Sequence, residues 1–155
     1  MPAEKAIISS LKAADQNEWR ALWSAYLDFY ETTLPEETFA STWQRVLDQS
    51  GSLRCLVIRT SDVGPILGLT HFLLHETAWN PKPACYLQDL FVAPQARGRG
   101  LARLLIEAVA DKAHGLDCCK LYWLTQDNNA RARKLYDKVA ECKGFIRYDY
   151  TQTLG

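Results

Sequence analysis

The stretch Gln95-Ala96-Arg97-Gly98-Arg99-Gly100-Leu101-Ala102 carries the plainest chemistry in this chain. It follows the apolar run 87–92 and opens the helical pattern Leu101, Leu104, Leu105, Ala108, Val109. A strand therefore runs into a basic, glycine-punctuated turn and then into a helix. The first turn of a helix carries unpaired N–H groups and a partial positive charge. With glycines and arginines beside it, that turn becomes a seat for phosphate. The dinucleotide fingerprint G-x-G-x-x-G is not met, because Arg103 stands where the third glycine belongs. The P-loop is not met either, since no Gly-Lys-Ser/Thr ending is present.

A second constellation lies downstream. The strand-like run Lys120 to Leu124 is followed by Asn129-x-x-Ala132-x-x-Leu135-Tyr136 and then by Gly144-Phe145. The segment 95–102 resembles the Arg/Gln-x-x-Gly-x-Gly/Ala signature of the GNAT superfamily of acyl-CoA N-acyltransferases. The downstream segment resembles that superfamily's N-x-x-A-x-x-L-Y…G-F segment, in the right order and separated by one helix and one strand. The resemblance is firm over about Ala84 to Tyr148 and weaker before it. It is strongest to the branch of small acetyltransferases acting on histones, polyamines and D-amino acids. One departure is visible: Gly144 follows Tyr136 by eight positions, more than in compact members.

The resemblance implies acetyl transfer from acetyl-CoA to a primary amine, by direct attack in a ternary complex. Pyrophosphate falls to the backbone of Arg97, Gly98, Arg99, Gly100, Leu101 and Ala102, with both arginines adding charge. The pantetheine arm is expected along the free edge of Leu90, Phe91 and Val92, by the logic of an added strand. Asn129 matches the asparagine that contacts the cofactor arm. Asn is also a favoured helix N-cap, and both roles are compatible. Tyr136 matches the general acid. A phenol with a pKa of about 10 keeps its proton at neutral pH and can give it to a thiolate.

The base is left open. Relatives of the polyamine type carry an acid where Gln88 stands, and an amide cannot accept the proton. Asp89 is next, yet alternation puts neighbouring strand residues on opposite faces, so only one of the two should face the acceptor. Glu76, His75, Glu31 and a water chain remain open. A lone histidine such as His71 or His75 reads first as a structural residue. Acceptor contacts are expected from Tyr26, Tyr30, Glu31, Glu76, Trp79 and Trp123, since aromatic faces with carboxylates suit a cationic amine. The segment Asp28-Phe29-Tyr30-Glu31 is the expected acceptor wall, because acids at a helix C-terminus oppose the macrodipole. The acceptor is a polyamine, an amino acid of either hand or an aminoglycoside-like molecule. A peptide lysine is the alternative, and a non-catalytic acyl-CoA sensor is the rival reading.

The elements that must position these groups follow from periodicity. Asp15-Gln16-Asn17-Glu18 reads as a capping box before a helix whose Trp19, Leu22, Trp23, Tyr26, Leu27 and Tyr30 recur at helical spacing. Pro35 starts a second helix with Phe39, Trp43, Val46 and Leu47 on its apolar face. Strands are expected at 6–9, 54–60, 66–76, 84–92, 120–124 and 144–152, with prolines keeping 78–83 out of the sheet. Helices are expected at 100–114 and 129–139. The order β-αα-βββ-α-β-α-β describes an α/β domain, a mixed sheet flanked by helices, in one domain over residues 1–155.

Composition narrows the setting. The 155 residues carry 18 basic and 18 acidic side chains, so no nucleic-acid surface is expected. No apolar run is long enough to span a membrane, and no signal peptide is evident. Five cysteines lack metal-ligand spacing and read as free thiols, which predicts a cytoplasmic protein and no metal. A homodimer is expected from the resemblance.

Overall fold

The structure is a computed structural model that describes residues 5–154. It divides into two units, one running to Trp123 and one from Leu124 onward.

The first unit holds β1 (Ile7–Ser10), α1 (Gln16–Phe29), α2 (Glu36–Leu47), β2 (Leu53–Arg59), β3 (Gly68–Thr77), β4 (Asn80–Val92), α3 (Leu101–Gly115) and β5 (Lys120–Tyr122). The five strands lie in the order β1-β2-β3-β4-β5. The first four pair antiparallel, and β5 joins β4 in parallel, so the sheet is mixed. Apolar residues at helical spacing bury Trp19, Leu22, Trp23 and Leu27 on α1, and Phe39, Trp43 and Val46 on α2. Trp19 and Trp43 meet at 5.4 Å between ring centroids and join the two helices. Beneath them on β3 lies His71. The other face of the sheet belongs to α3. A Cβ on Gly68 would stand 3.2 Å from Leu105 of α3, and Gly68 and His71 have opposite parity along β3. Helices thus cover both faces.

Several expectations are corrected. Asp15 and Glu18 do not form a capping box for α1. The Asp15 carboxylate accepts from the Lys12 N–H at 2.8 Å and from Arg59 at 2.6 Å, while Glu18 accepts from the Ile66 N–H at 2.7 Å. These long-range partners outcompete a local cap. Pro81 and Pro83 lie inside β4, which starts at Asn80. The β3–β4 register shifts between His75 and Thr77, so the prolines occupy an irregular stretch where no regular ladder N–H is demanded. The Pro83 carbonyl still accepts, from the Cys119 N–H at 2.8 Å.

The second unit holds α4 (Ala130–Val139), capped by Asn129. The strand expected at 144–152 is absent, and residues 140–154 are exposed. A strand is defined by its ladder, and this segment has no strand beside it in its own unit. Gly144 turns the chain with φ 80°.

Candidate active site

A short 3₁₀ turn at Pro94–Ala96 leads from β4 into the basic turn. Gly98 and Gly100 have φ of 79° and 76°, the left-handed region that side chains disfavour. A Cβ at either would meet nothing within 4 Å, so conformation alone calls for glycine there. Gly100 is the N-cap of α3, no side chain caps the helix, and its first turn holds no acid. The amide groups from Leu101 onward therefore present the positive end of a four-turn helix to an incoming anion.

The two arginines behave differently. Arg97 folds back on the strand that precedes it. Its Nε donates to the Val92 carbonyl at 3.2 Å, and its guanidinium lies 5.6 Å from the Phe91 ring centroid. Arg99 is on the exposed part of the turn.

β4 pairs with β5 only over Ala84–Tyr86. From Leu87 to Val92 its ladder partner among the described residues is β3 alone. The Ala93 N–H donates to the Leu67 carbonyl, and the Phe91 oxygen lies 3.1 Å from where a Gly68 Cβ would stand. Phe91 therefore turns its backbone toward β3, and alternation leaves Leu90 and Val92 facing the other edge. This corrects the expectation for Phe91. It also narrows that for Val92, whose carbonyl is taken by Arg97.

A cavity of about 260 Å³ opens between α1, α2 and the sheet, lined by Trp23, Thr42, Arg45, Leu53, His71, Gln88 and Asp89. His71 pairs with Asp89 and Phe72 with Leu87, so Gln88 is an extra residue on β4. This bulge re-aims the strand. Gln88 and Asp89 consequently line one cavity, against the expectation that only one of them would. One side of the Asp89 carboxylate is held by His71, whose Nδ1 lies 3.1 Å from its Oδ2. Burial, followed by the negative charge of Asp89, pushes the Tyr26 phenol well above its ordinary range, so it stays protonated. Tyr26 also stacks on Trp23 at 5.0 Å and meets Phe91 edge-on at 5.6 Å.

The profile of the Acetyltransferase (GNAT) family matches residues 19–140, running across the division at Trp123. The chain belongs to the GNAT family. It is 33% identical over 140 residues to the D-amino-acid N-acetyltransferase HPA3 of Saccharomyces cerevisiae, covering 90% of this chain and 87% of that protein. Among solved structures, AAC(6')-Iy in complex with a bisubstrate analog superposes with a TM-score of 0.80 at 20% identity, covering 96% of this chain and 99% of that one. The ribosomal-protein-alanine N-acetyltransferase of Brucella melitensis superposes at 0.77 and 24% identity, covering 95% and 99%. These likenesses at low identity show the fold.

As a GNAT member the protein is an acetyl-CoA-dependent N-acetyltransferase, and its first unit fits the cofactor. The uncapped α3 N-terminus suits a pyrophosphate, and the outward edge at Leu90 suits an amide-bearing arm.

The GNAT site residues expected from sequence are now distributed. Tyr26 stacks on Trp23, and Tyr30 is in edge contact with Tyr26 at 5.0 Å. Glu31 follows α1 with a left-handed φ of 55° and is exposed. Glu76 and Trp79 belong to the β3–β4 hairpin end, with Trp79 94% exposed. Five strand positions separate Glu76 from His71, about 16 Å along β3, and neither Glu76 nor Trp79 lines the cavity. His75 is engaged by the Glu76 carbonyl and the Tyr122 hydroxyl, both at 2.8 Å. Trp123 follows β5 at the end of the first unit. In the second unit the Asn129 side-chain oxygen accepts from the Ala132 N–H at 3.3 Å, so it caps α4. Tyr136 sits half-buried on the same helix. Thr42, Arg45 and Leu53 were not singled out by sequence. Arg45 lies on the polar side of α2, and nothing in its spacing distinguishes it from an ordinary surface arginine.

Proposed function

We propose that this enzyme acetylates the amino group of a small molecule, with an α-amino acid as the preferred acceptor. The observation that carries this reading is the pairing of opposite charges on one small cavity, Asp89 on β4 and Arg45 on α2. A carboxylate favours an ammonium group and a guanidinium favours a carboxylate. Arg45 would repel the far end of a polyamine, and about 260 Å³ suits an amino acid better than an aminoglycoside. HPA3 is a D-amino-acid N-acetyltransferase, which supports the same class.

Acetyl-CoA supplies the thioester that the amine attacks directly. Asp89 takes the proton from the acceptor's ammonium, and Tyr136 returns one to the leaving sulfur. Trp23 walls the cavity, with Tyr26 stacked on it. Arg99 and the amides of Gly98, Gly100, Leu101 and Ala102 hold the pyrophosphate, and Leu90 and Asn129 meet the cofactor arm. Residues 1–155 work as one GNAT domain on this reading, in the cytoplasm and as a homodimer, as the family resemblance suggests.

A thiol-release assay against L- and D-amino acids, spermidine, an aminoglycoside and a lysine peptide tests the proposal. Amino acids should turn over best. Arg45→Ala should raise their KM about tenfold, the worth of one charge-assisted contact, and leave the KM of the corresponding amino-acid amides nearly unchanged. Preference for spermidine or the peptide would overturn the amino-acid assignment.

A further inference from the structure

Trp19 of α1 donates its indole N–H to His71 Nε2 at 3.1 Å, in a buried contact. An indole nitrogen is a donor only, so Nε2 carries a lone pair. Nδ1 must then carry the ring proton, and it points at Asp89 Oδ2 at 3.1 Å. We infer that Trp19 locks His71 in the Nδ1–H tautomer, making His71 a positioning residue that aims Asp89 as the proton acceptor of acetyl transfer. This rests on the reading above in which Asp89 is the base.

The geometry separates the two roles that a histidine beside a carboxylate could play. His71 is 2% exposed, and both its ring nitrogens are committed. It cannot take a proton without losing the Trp19 bond. The Asp89 side chain, by contrast, is 15% exposed and lines the cavity. Its charged form receives the His71 donor, which leaves oxygen lone pairs for the acceptor amine. The titratable or charged groups facing Asp89 are Tyr26 from α1, Arg45 from α2, Cys55 from β2 and His71 from β3. Burial raises the Cys55 thiol far above its ordinary value, so it adds no negative charge at neutral pH. Among the described residues, Asp89 is the only carboxylate lining this cavity. Two rings hold the imidazole in place: Trp23 meets it edge-on at 4.7 Å and Trp19 lies at 6.1 Å.

The test exploits the shapes of two amides. In His71→Asn the amide nitrogen can stand where Nδ1 stands and still donate to Asp89. In His71→Gln the amide reaches the Nε2 position, facing Trp19, and the donor to Asp89 is lost. With each variant shown to be folded by thermal melting, Asp89→Asn should lower kcat by about 10²–10³-fold. His71→Asn should stay within about tenfold of the parent, and His71→Gln should fall toward the Asp89→Asn level, in line with loss of a hydrogen bond to a charged group. The KM for acetyl-CoA should hold in all three. The acid limb of the kcat/KM profile should move to higher pH in His71→Gln and not in His71→Asn. Nitrogen NMR of the parent enzyme should show His71 protonated at Nδ1 and not at Nε2. If Asp89→Asn keeps parental turnover, the assignment of the base fails whatever His71 does. If Asp89→Asn is impaired but the Asn and Gln variants of His71 lose equal activity with an unmoved acid limb, His71 is only structural and the inference fails. An Nε2–H tautomer in the parent would overturn it directly.

Discussion

Arg97 and Val92 close the glycine turn between β4 and α3: Nε of the one donates to the carbonyl of the other at 3.2 Å. The contact ties the start of the glycine turn to the end of β4, so Arg97 is part of the scaffold as well as a source of charge.

Arg97→Ala and Arg99→Ala should therefore differ. The first loses a hydrogen bond and a cation–π contact of about 1 kcal/mol each, which should lower Tm by several degrees and raise the acetyl-CoA KM modestly. The second should raise that KM about tenfold with kcat little changed, the worth of one charge-assisted contact to phosphate. Thermal melts and steady-state kinetics on both variants check the contrast; equal effects would remove the distinction.

Gly100→Ala places a side chain at φ 76°, where no neighbour obstructs it. The expected cost is conformational, about 1–2 kcal/mol, read as a lower urea midpoint at unchanged slope. Acetyl-CoA affinity should fall as well, because the residue that caps α3 is strained.

Tyr136→Phe should lower kcat by about 10²-fold while leaving the acetyl-CoA KM within about threefold, as expected when a proton donor is lost but binding is kept. Unchanged turnover would remove Tyr136 from the acid role.

Burial raises the Cys85 thiol to about 12. A group whose folded pKa lies above its unfolded one favours the native state most below the unfolded value. That contribution is lost as pH rises from about 9 toward about 12. Urea stability should thus fall with pH across that window, and Cys85→Ala should flatten the fall. Cys85 and Cys55 should resist thiol reagents in the native protein at pH 8, while the exposed Cys142 reacts.

Much of this enzyme is written locally. The turn 95–102 needs only its glycines and the helix that follows, because φ preference and unpaired amides are properties of a few adjacent residues. The buried stripes of α1 and α2, the Asn129 cap and the existence of β5 were legible for the same reason, each within one element's length. What the tertiary structure decided depends on register and on distant partners. The bulge at Gln88 arises from pairing with β3, and it turns Gln88 and Asp89 to one cavity although alternation separates them. Asp15 and Glu18 exchange a local cap for Arg59 and Ile66, because a long-range partner competes on equal terms with a near one. Trp19 and His71, 52 residues apart, fix a tautomer that neither residue type implies. Arg45 reads as surface until α2 is laid on the sheet and brings it to the cavity that Asp89 lines. The segment 144–152 has a strand's alternation and no ladder, since alternation states what a strand would bury but supplies no neighbour to pair with.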